Sequence, residues 1–474
     1  MKELTLQTLI EDLRTGKTTS AKLVKSYLRR IKKYDTVLNA VAELNPDALK
    51  IAKAMDLEAL QTGFRSPMHG IPILIKDNIN THDSMHTTAN SFALADLLAP
   101  YDATIVEKLR AAGAVILGKA NLSEFAYFMS YDKMPSGFGS RNGQVKNPYD
   151  FRIDPLGSST GSAVALAANM IPVAIGTETN GSLMAPAYQN SVVAIKPTFG
   201  MVSRYGIIPI AIHQDIAGPM ARTVADCAIL LDILQGADAR DAYTAEPPMN
   251  QKPYAKAIDR PVHGKRIGIL KLSRYVYDPE EQAILDEAKS KFEAMGVRVE
   301  TVEVESYKFN NTASMLVEFK QGLNEYLKTV QGSTKMTSLA DIIEFNKVHR
   351  ERCLQYGQSI LEAAQKTSGD LNDSEYEAFR IKEWNEANLF ERLMAERQID
   401  ALISTIWTSY APIAGNPSIC VPAKALNDLK PRSIILVGKK WDDATLIALA
   451  HAYEQATRHR IPPQLDKLIL KRED

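Results

Sequence analysis

The chain has only three cysteines in 474 residues, Cys227, Cys353 and Cys420. They are odd in number, far apart and free of any C-x-x-C spacing, which excludes a disulfide framework and a cysteine-rich zinc site. Net charge is missing too, because 56 Lys and Arg residues balance 56 Asp and Glu residues. Without a global field, nothing draws nucleic acid or an anionic membrane to the protein, and a small neutral or mixed substrate is the expected partner. Nor is there an apolar stretch of the roughly 18 residues needed to span a bilayer. The opening MKELTLQTLIEDLRTGK interrupts its apolar residues with polar ones too often for a signal peptide. These absences predict a reduced, cytoplasmic protein without membrane contact.

What is present points to a layered α/β fold. The hydrophobic content of 45% over this length is ample for a core. Residues 3–60 read as helical; in TTSAKLVKSYLRRI the apolar Leu23, Val24, Tyr27, Leu28 and Ile31 share one face, with Thr19 or Ser20 as N-cap. From 70 to about 240, short apolar runs such as GIPILIKDN and AVILGKANLSEF alternate with helical stretches such as ATIVEKLRAAG. Continuous apolar strands belong to a sheet covered by helices on both faces. KRIGIL and VRVETVEV flank a helix that carries its own boundaries: Asp278 and Glu281 as a capping box, Pro279 in the first turn and Gly296 at the end. Residues 310–397 read as charged helices with a solvated surface. The tail then returns to strands in DALIST and SIILVG and to a helix in DATLIALAHAYEQAT. One sheet interrupted by a helical segment is the expected architecture.

Gly157-Ser158-Ser159-Thr160-Gly161 spells the Gly-x-Ser-x-Gly pattern of a nucleophile elbow, which would make Ser159 the attacking residue. An elbow follows a strand, however, and NPYDFRIDPL before it reads as a loop; a serine at a helix start is also an ordinary cap. None of His213, His263, His349, His451 and His459 is singled out as the elbow's base. The residues beyond Gly161 change the reading. A helix of about 11 residues rises about 16 Å, and the strand VAIGTE runs back about 20 Å. If the two lie antiparallel, Ser182 returns to the neighbourhood of Ser158. In TETNGS, Gly181 permits a turn whose successive N–H groups, from Thr179, Asn180, Gly181 and Ser182, could hold an oxyanion. Lys76 closes the apolar strand GIPILI, at the edge where open α/β sheets place ligands. Burial there would favour a neutral amine able to serve as a general base, so a Ser-Lys arrangement answers the proton question without histidine.

Lys76 in GIPILIKDN, GSSTGSA at 157–163 and GTETNGSLMAPA at 176–187 together resemble the amidase signature family. GKANLSEFA, VKNPYD, KPTFGMVSRYGIIP, GPMARTVAD, GNPSICVPA and DDATLIALAHAYEQAT add support, and the peptide amidases look most similar. The resemblance implies one large domain with a central mixed sheet over 1–474: N-terminal helices 1–60, a catalytic core 61–242, a variable, mostly helical segment 243–397 near the substrate entrance, and a part 398–474 that completes the sheet. It implies Ser182 as nucleophile, Ser158 as bridging serine after a cis Gly157-Ser158 bond, Lys76 as base, and Ser159 as a supporting hydroxyl. Amide hydrolysis through an acyl-enzyme is the implied reaction, on a peptide or small-molecule amide, without metal or cofactor, by a monomer or homodimer.

The chain departs from the family pattern at Leu156 and Thr160, where glycine is common, and at Asn180. Met184 stands where amidotransferase subunits carry an arginine for the glutamine carboxylate, and it hints at an uncharged acyl pocket. The other readings are such an amidotransferase subunit, or a silent binding protein on the same scaffold. His82 and His86 lack the glutamate of a zinc-protease helix and lie in a polar loop, so no metal site is expected there. Cys227 is expected to pack in a helix, and Asp215 and Arg222 to form a structural pair.

Overall fold

Alternation of apolar side chains along the strands builds this fold. The computed structural model describes residues 2–305, 311–424 and 430–470. Its strands are β1 (Val41–Leu44), β2 (Pro72–Lys76), β3 (Val115–Ala120), β4 (Phe138–Gly139), β5 (Gly143–Gln144), β6 (Val173–Glu178), β7 (Val193–Lys196), β8 (Ile216–Ala221), β9 (Arg266–Leu272), β10 (Arg298–Val304), β11 (Ala401–Ser404), β12 (Ser418–Ala423) and β13 (Arg432–Gly438). All but the β4–β5 hairpin join one sheet of 11 strands, in the order β1-β3-β2-β6-β8-β7-β12-β13-β11-β9-β10. The sheet is mixed. β2 runs parallel to β3 and β6, and β9 runs parallel to β10 and β11, whereas β8, β7, β12 and β13 between them pair antiparallel.

Two apolar layers cover the two faces of the sheet. Ile73 and Ile75 of β2 and Val173 and Ile175 of β6 enter one layer, with the helices Thr104–Ala111, Val224–Leu234 and Asp443–Thr457. The intervening Leu74 and Ala174 enter the other layer, with the helices Ser20–Leu38, Thr160–Ala167 and Met184–Gln189. A period of two divides each strand between two hydrophobic faces, which is why strands here read as unbroken apolar runs. The result is a single-domain α/β fold, as expected from the sequence. A third apolar cluster joins the helices Thr312–Thr329 and Leu339–Val348 to residues Ile208, Ile210 and Phe125, roofing the edge of the sheet where β2 and β6 end.

Several local expectations hold. Thr19 caps its helix by accepting from Lys22 N, and Asp278 and Glu281 form the reciprocal capping box. Cys227 is fully buried among apolar neighbours. Others need correction. Residues 3–60 are not wholly helical: Val41–Leu44 forms an edge strand antiparallel to β3, a pairing made by residues some 75 positions away that no local pattern announces. The helix after Ser159 spans only the eight residues Thr160–Ala167. Asp215 and Arg222 do not pair. Asp215 accepts from Thr179 Oγ1 and from the N–H groups of Ile210 and Ala211, while the Arg222 guanidinium donates to the carbonyls of Leu4, Leu166 and Ile171. Among the described residues, no helix is long and apolar enough to cross a membrane.

Leu402 lies fully buried in β11, away from the sheet edge where β2 and β6 end. Leu402→Ala should therefore cost about 3 kcal/mol of unfolding free energy by leaving a cavity. Urea denaturation checks this, the expected outcome being a lower midpoint with an unchanged slope.

Candidate active site

Parallel pairing of β2 with β6 sets the carboxyl ends of both strands side by side, so that Lys76, the last residue of β2, meets the end of β6. Lys76 is wholly buried, and its Nζ lies 2.7 Å from Ser158 Oγ, 3.0 Å from Ser159 Oγ, 2.9 Å from Thr177 Oγ1 and 3.2 Å from the Thr177 carbonyl. Burial pushes its pKa down to about 7, against the opposing pull of the Asp215 and Glu178 carboxylates. Around the amine the hydroxyls are tightly assigned. Ser159 Oγ donates to the Thr177 carbonyl at 3.0 Å and accepts from Thr177 N at 3.1 Å, and Asn78 Nδ2 donates to Thr177 Oγ1 at 3.1 Å.

Ser158 and Ser159 enter from the loop before the helix Thr160–Ala167, and the Gly157-Ser158 bond is cis. Gly157 is required by close approach, since a Cβ there would stand 2.5 Å from Ser123 Oγ. Ser159 occupies the cap position but makes no capping bond; its hydroxyl is spent on Thr177 and Lys76. The two family departures in this loop are accommodated. Leu156 adopts a φ of 55°, the left-handed region that favours glycine, and Thr160 Oγ1 donates back to its carbonyl.

Ser182 returns to this loop as the helix and strand lengths predict: Ser159 N donates to the Ser182 carbonyl at 3.2 Å. The turn leading to Ser182 is braced from several directions. Thr179 Oγ1 donates to Asp215, Gln214 Nε2 donates to the Thr179 carbonyl, and Asn180 Nδ2 donates to Ser409 Oγ. Glu178 points its carboxylate at the next turn, where it accepts from Leu183 N at 2.7 Å and Met184 N at 3.1 Å. The N–H groups of Thr179, Asn180, Gly181 and Ser182 have no acceptor among the described residues, so the turn presents four free donors beside a serine hydroxyl. Gly181 has a φ of +86°, and a Cβ on it would stand 2.7 Å from Trp407 Cδ1.

Sequence reasoning located Lys76, Ser158, Ser159 and the turn 179–182, and the structure gathers them at one place. It missed Thr177, Asn78, Glu178, Gln214 and Trp407. Thr177 reads as an ordinary β-branched strand residue; only its position beside Lys76 across two parallel strands reveals its contact. Met184 is 2% exposed and packs in the apolar layer; it is not among the residues around the cavity beside Thr177. His86 is bound to Glu43 and His213 to Glu318, and no group of metal-ligand residues occurs among the described residues.

Gly181→Val should lower the unfolding free energy by about 2 kcal/mol, because both the positive φ and Trp407 oppose the new side chain. Adding Trp407→Ala should restore part of that loss. A double-mutant cycle from denaturant unfolding checks the coupling.

The family model described as Amidase matches residues 22–412. A probable amidase of Arabidopsis thaliana is 38% identical, over 96% of this chain and 91% of its own length. A glutamyl-tRNA(Gln) amidotransferase subunit of Chromohalobacter salexigens is 32% identical, over 96% and 97%. Among solved structures, the native peptide amidase of Stenotrophomonas maltophilia superposes with a TM-score of 0.92 at 40% identity, covering 98% of this chain and 99% of that one.

Proposed function

The chain belongs to the amidase family, and from that premise we propose that it hydrolyses carboxamides with Ser182 as nucleophile, Ser158 as proton relay and Lys76 as base. The observation that carries this reading is the fully buried amine of Lys76, 2.7 Å from Ser158 Oγ with its pKa brought to about 7. A neutral amine has two N–H donors and one lone pair. The Thr177 carbonyl can only accept, and Ser159 already donates its proton to that carbonyl, so both take N–H bonds from Lys76. The lone pair is left to the two remaining hydroxyls, Ser158 at 2.7 Å and Thr177 at 2.9 Å, and the proposed relay gives it to the shorter contact, Ser158.

Ser182 Oγ gives its proton to Ser158 as Ser158 gives its own to Lys76, and the freed oxygen attacks the amide carbon. The N–H groups of Thr179, Asn180, Gly181 and Ser182 are the donors offered to the oxyanion; such a preorganised donor is worth about 3 kcal/mol to the transition state. The C–N bond breaks, and the nitrogen leaves with its electron pair and a proton returned through Ser158. Water, activated by the same relay, releases the acid. No step draws on a metal or cofactor.

Likeness to the peptide amidase supports C-terminal peptide amides as substrates. The amidotransferase reading has the 32% likeness to a glutamyl-tRNA(Gln) amidotransferase subunit behind it, but Met184, in the position of the expected arginine, is buried in an apolar layer. The hydrogen bonds around Lys76 speak against a silent scaffold, since the buried amine serves no structural end that an apolar side chain would not meet at less cost.

Ser182→Ala should abolish ammonia release from peptide amides, and Ser158→Ala should lower kcat by about a thousandfold or more by cutting the relay. After treatment with a fluorophosphonate, peptide mapping should place the adduct on Ser182. An adduct on Ser159 would instead support the elbow.

A further inference from the structure

An oxyanion hole works only if its N–H groups are aimed before the reaction starts. The Thr179 carbonyl and the Asn180 N–H belong to one planar trans peptide, so they point to opposite sides of the chain and turn together. Among the described residues, one donor holds that plane: Gln214 Nε2 gives a hydrogen bond to the Thr179 carbonyl at 2.9 Å. The neighbouring braces act on side chains instead, Asp215 on the Thr179 hydroxyl and Ser409 on the Asn180 amide at 3.3 Å. The ladder of β6 with β8 ends one residue earlier, at Glu178. With the carbonyl drawn to Gln214, the Asn180 N–H faces away from it, free of any acceptor among the described residues.

Gln214 is itself held. It is 2% exposed, and an amide at that depth must spend both of its ends. Its nitrogen goes to Thr179, and its Oε1 accepts from Asn311 Nδ2 at 3.1 Å, which decides the end of the amide that faces the turn. Asn311 takes the N-cap position of the helix Thr312–Thr329, where an asparagine ordinarily accepts from the first turn. It makes no side-chain capping bond and gives its amide to Gln214 instead. The Asn311 carbonyl lies 3.0 Å from Ser314 Oγ, which stands 2.6 Å from Glu383 Oε2 on the helix Ser374–Ala387. A forgone helix cap and a buried amide engaged at both ends are costs that packing alone does not demand.

Resting on the function proposed above, we infer that Gln214 and Asn311 are positioning residues for amide hydrolysis. Gln214 holds the Thr179–Asn180 peptide so that the Asn180 N–H meets the tetrahedral oxygen, and Asn311 holds the Gln214 amide with its nitrogen toward Thr179. Neither touches the reacting atoms. Asn311 lies outside the catalytic core 61–242 expected from the sequence, so a residue of the helical segment sets the shape of the oxyanion hole.

The test separates transition-state binding from ground-state binding. Gln214→Met keeps the length of the side chain and removes both bonds; it should lower kcat on a C-terminal peptide amide by about thirtyfold and leave KM within about threefold. Affinity for a peptide aldehyde, whose adduct with Ser182 puts an oxygen in the oxyanion hole, should fall by a similar factor, while affinity for the corresponding peptide alcohol should not change. Asn311→Leu, which leaves residues 210–215 untouched and carries the test if Gln214→Met does not fold, should give the same pattern at about tenfold. The double variant should be no worse than Gln214→Met alone, because both residues act on one peptide. A folded Gln214→Met or Asn311→Leu enzyme whose kcat and aldehyde affinity stay within about threefold of the wild type, or whose aldehyde and alcohol affinities fall together, would overturn the inference. Absence of ammonia release and of any aldehyde adduct in the wild type would instead remove the function on which it rests.

Discussion

Lys76 Nζ is held out of water at the end of a strand that is apolar for four residues before it, and its burial governs everything around it. An ammonium at that depth is costly, and the group answers by giving up its proton near neutral pH rather than by recruiting a carboxylate. Asp215 and Glu178 are close enough to oppose the shift, yet each is committed elsewhere: Asp215 to Thr179 and the 210–211 backbone, Glu178 to the N–H groups of Leu183 and Met184. A direct salt bridge would have raised the amine's affinity for its proton and left it useless as a base. Neutral hydroxyls and one carbonyl surround it instead.

The scaffold delivers this arrangement by simple means. Parallel pairing of β2 and β6 aligns two strand ends; the short helix Thr160–Ala167 and β6 then form an out-and-back path that brings Ser159 against Ser182. Two apolar layers pack the faces of the sheet. Long-range bonds hold the turn before Ser182, from Gln214 and Asp215 on one side and Ser409 on the other. The chemistry thus rests on loops and strand ends held by a packed sheet, the usual division of labour in α/β enzymes.

Much of this is legible in the sequence alone. Apolar runs mark the buried strands, and Asp278, Pro279, Glu281 and Gly296 mark one helix at both ends. Counting helix and strand rise places Ser182 near Ser158, although the helix is shorter than its small-residue run suggests, because Ala168 and Asn169 already turn out of it. Illegible features share one cause. The β1–β3 pairing, the Trp407 contact with Gly181 and the separate partners of Asp215 and Arg222 join residues far apart in sequence, and no local period encodes them. Met184 shows the converse, a position whose neighbours in sequence suggest a pocket while its neighbours in space form a core.

Proton withdrawal by Lys76 is the central claim, and the rate at which a fluorophosphonate labels Ser182 reads it without dependence on any substrate. That rate, followed by intact mass from about pH 5 to about pH 9, should rise through a single ionisation near the value of about 7 to which burial brings Lys76. In Lys76→Met the rise should vanish and labelling should be slow throughout. A labelling rate in the wild type that is independent of pH, or a Lys76→Met variant that keeps the same profile, would contradict the account.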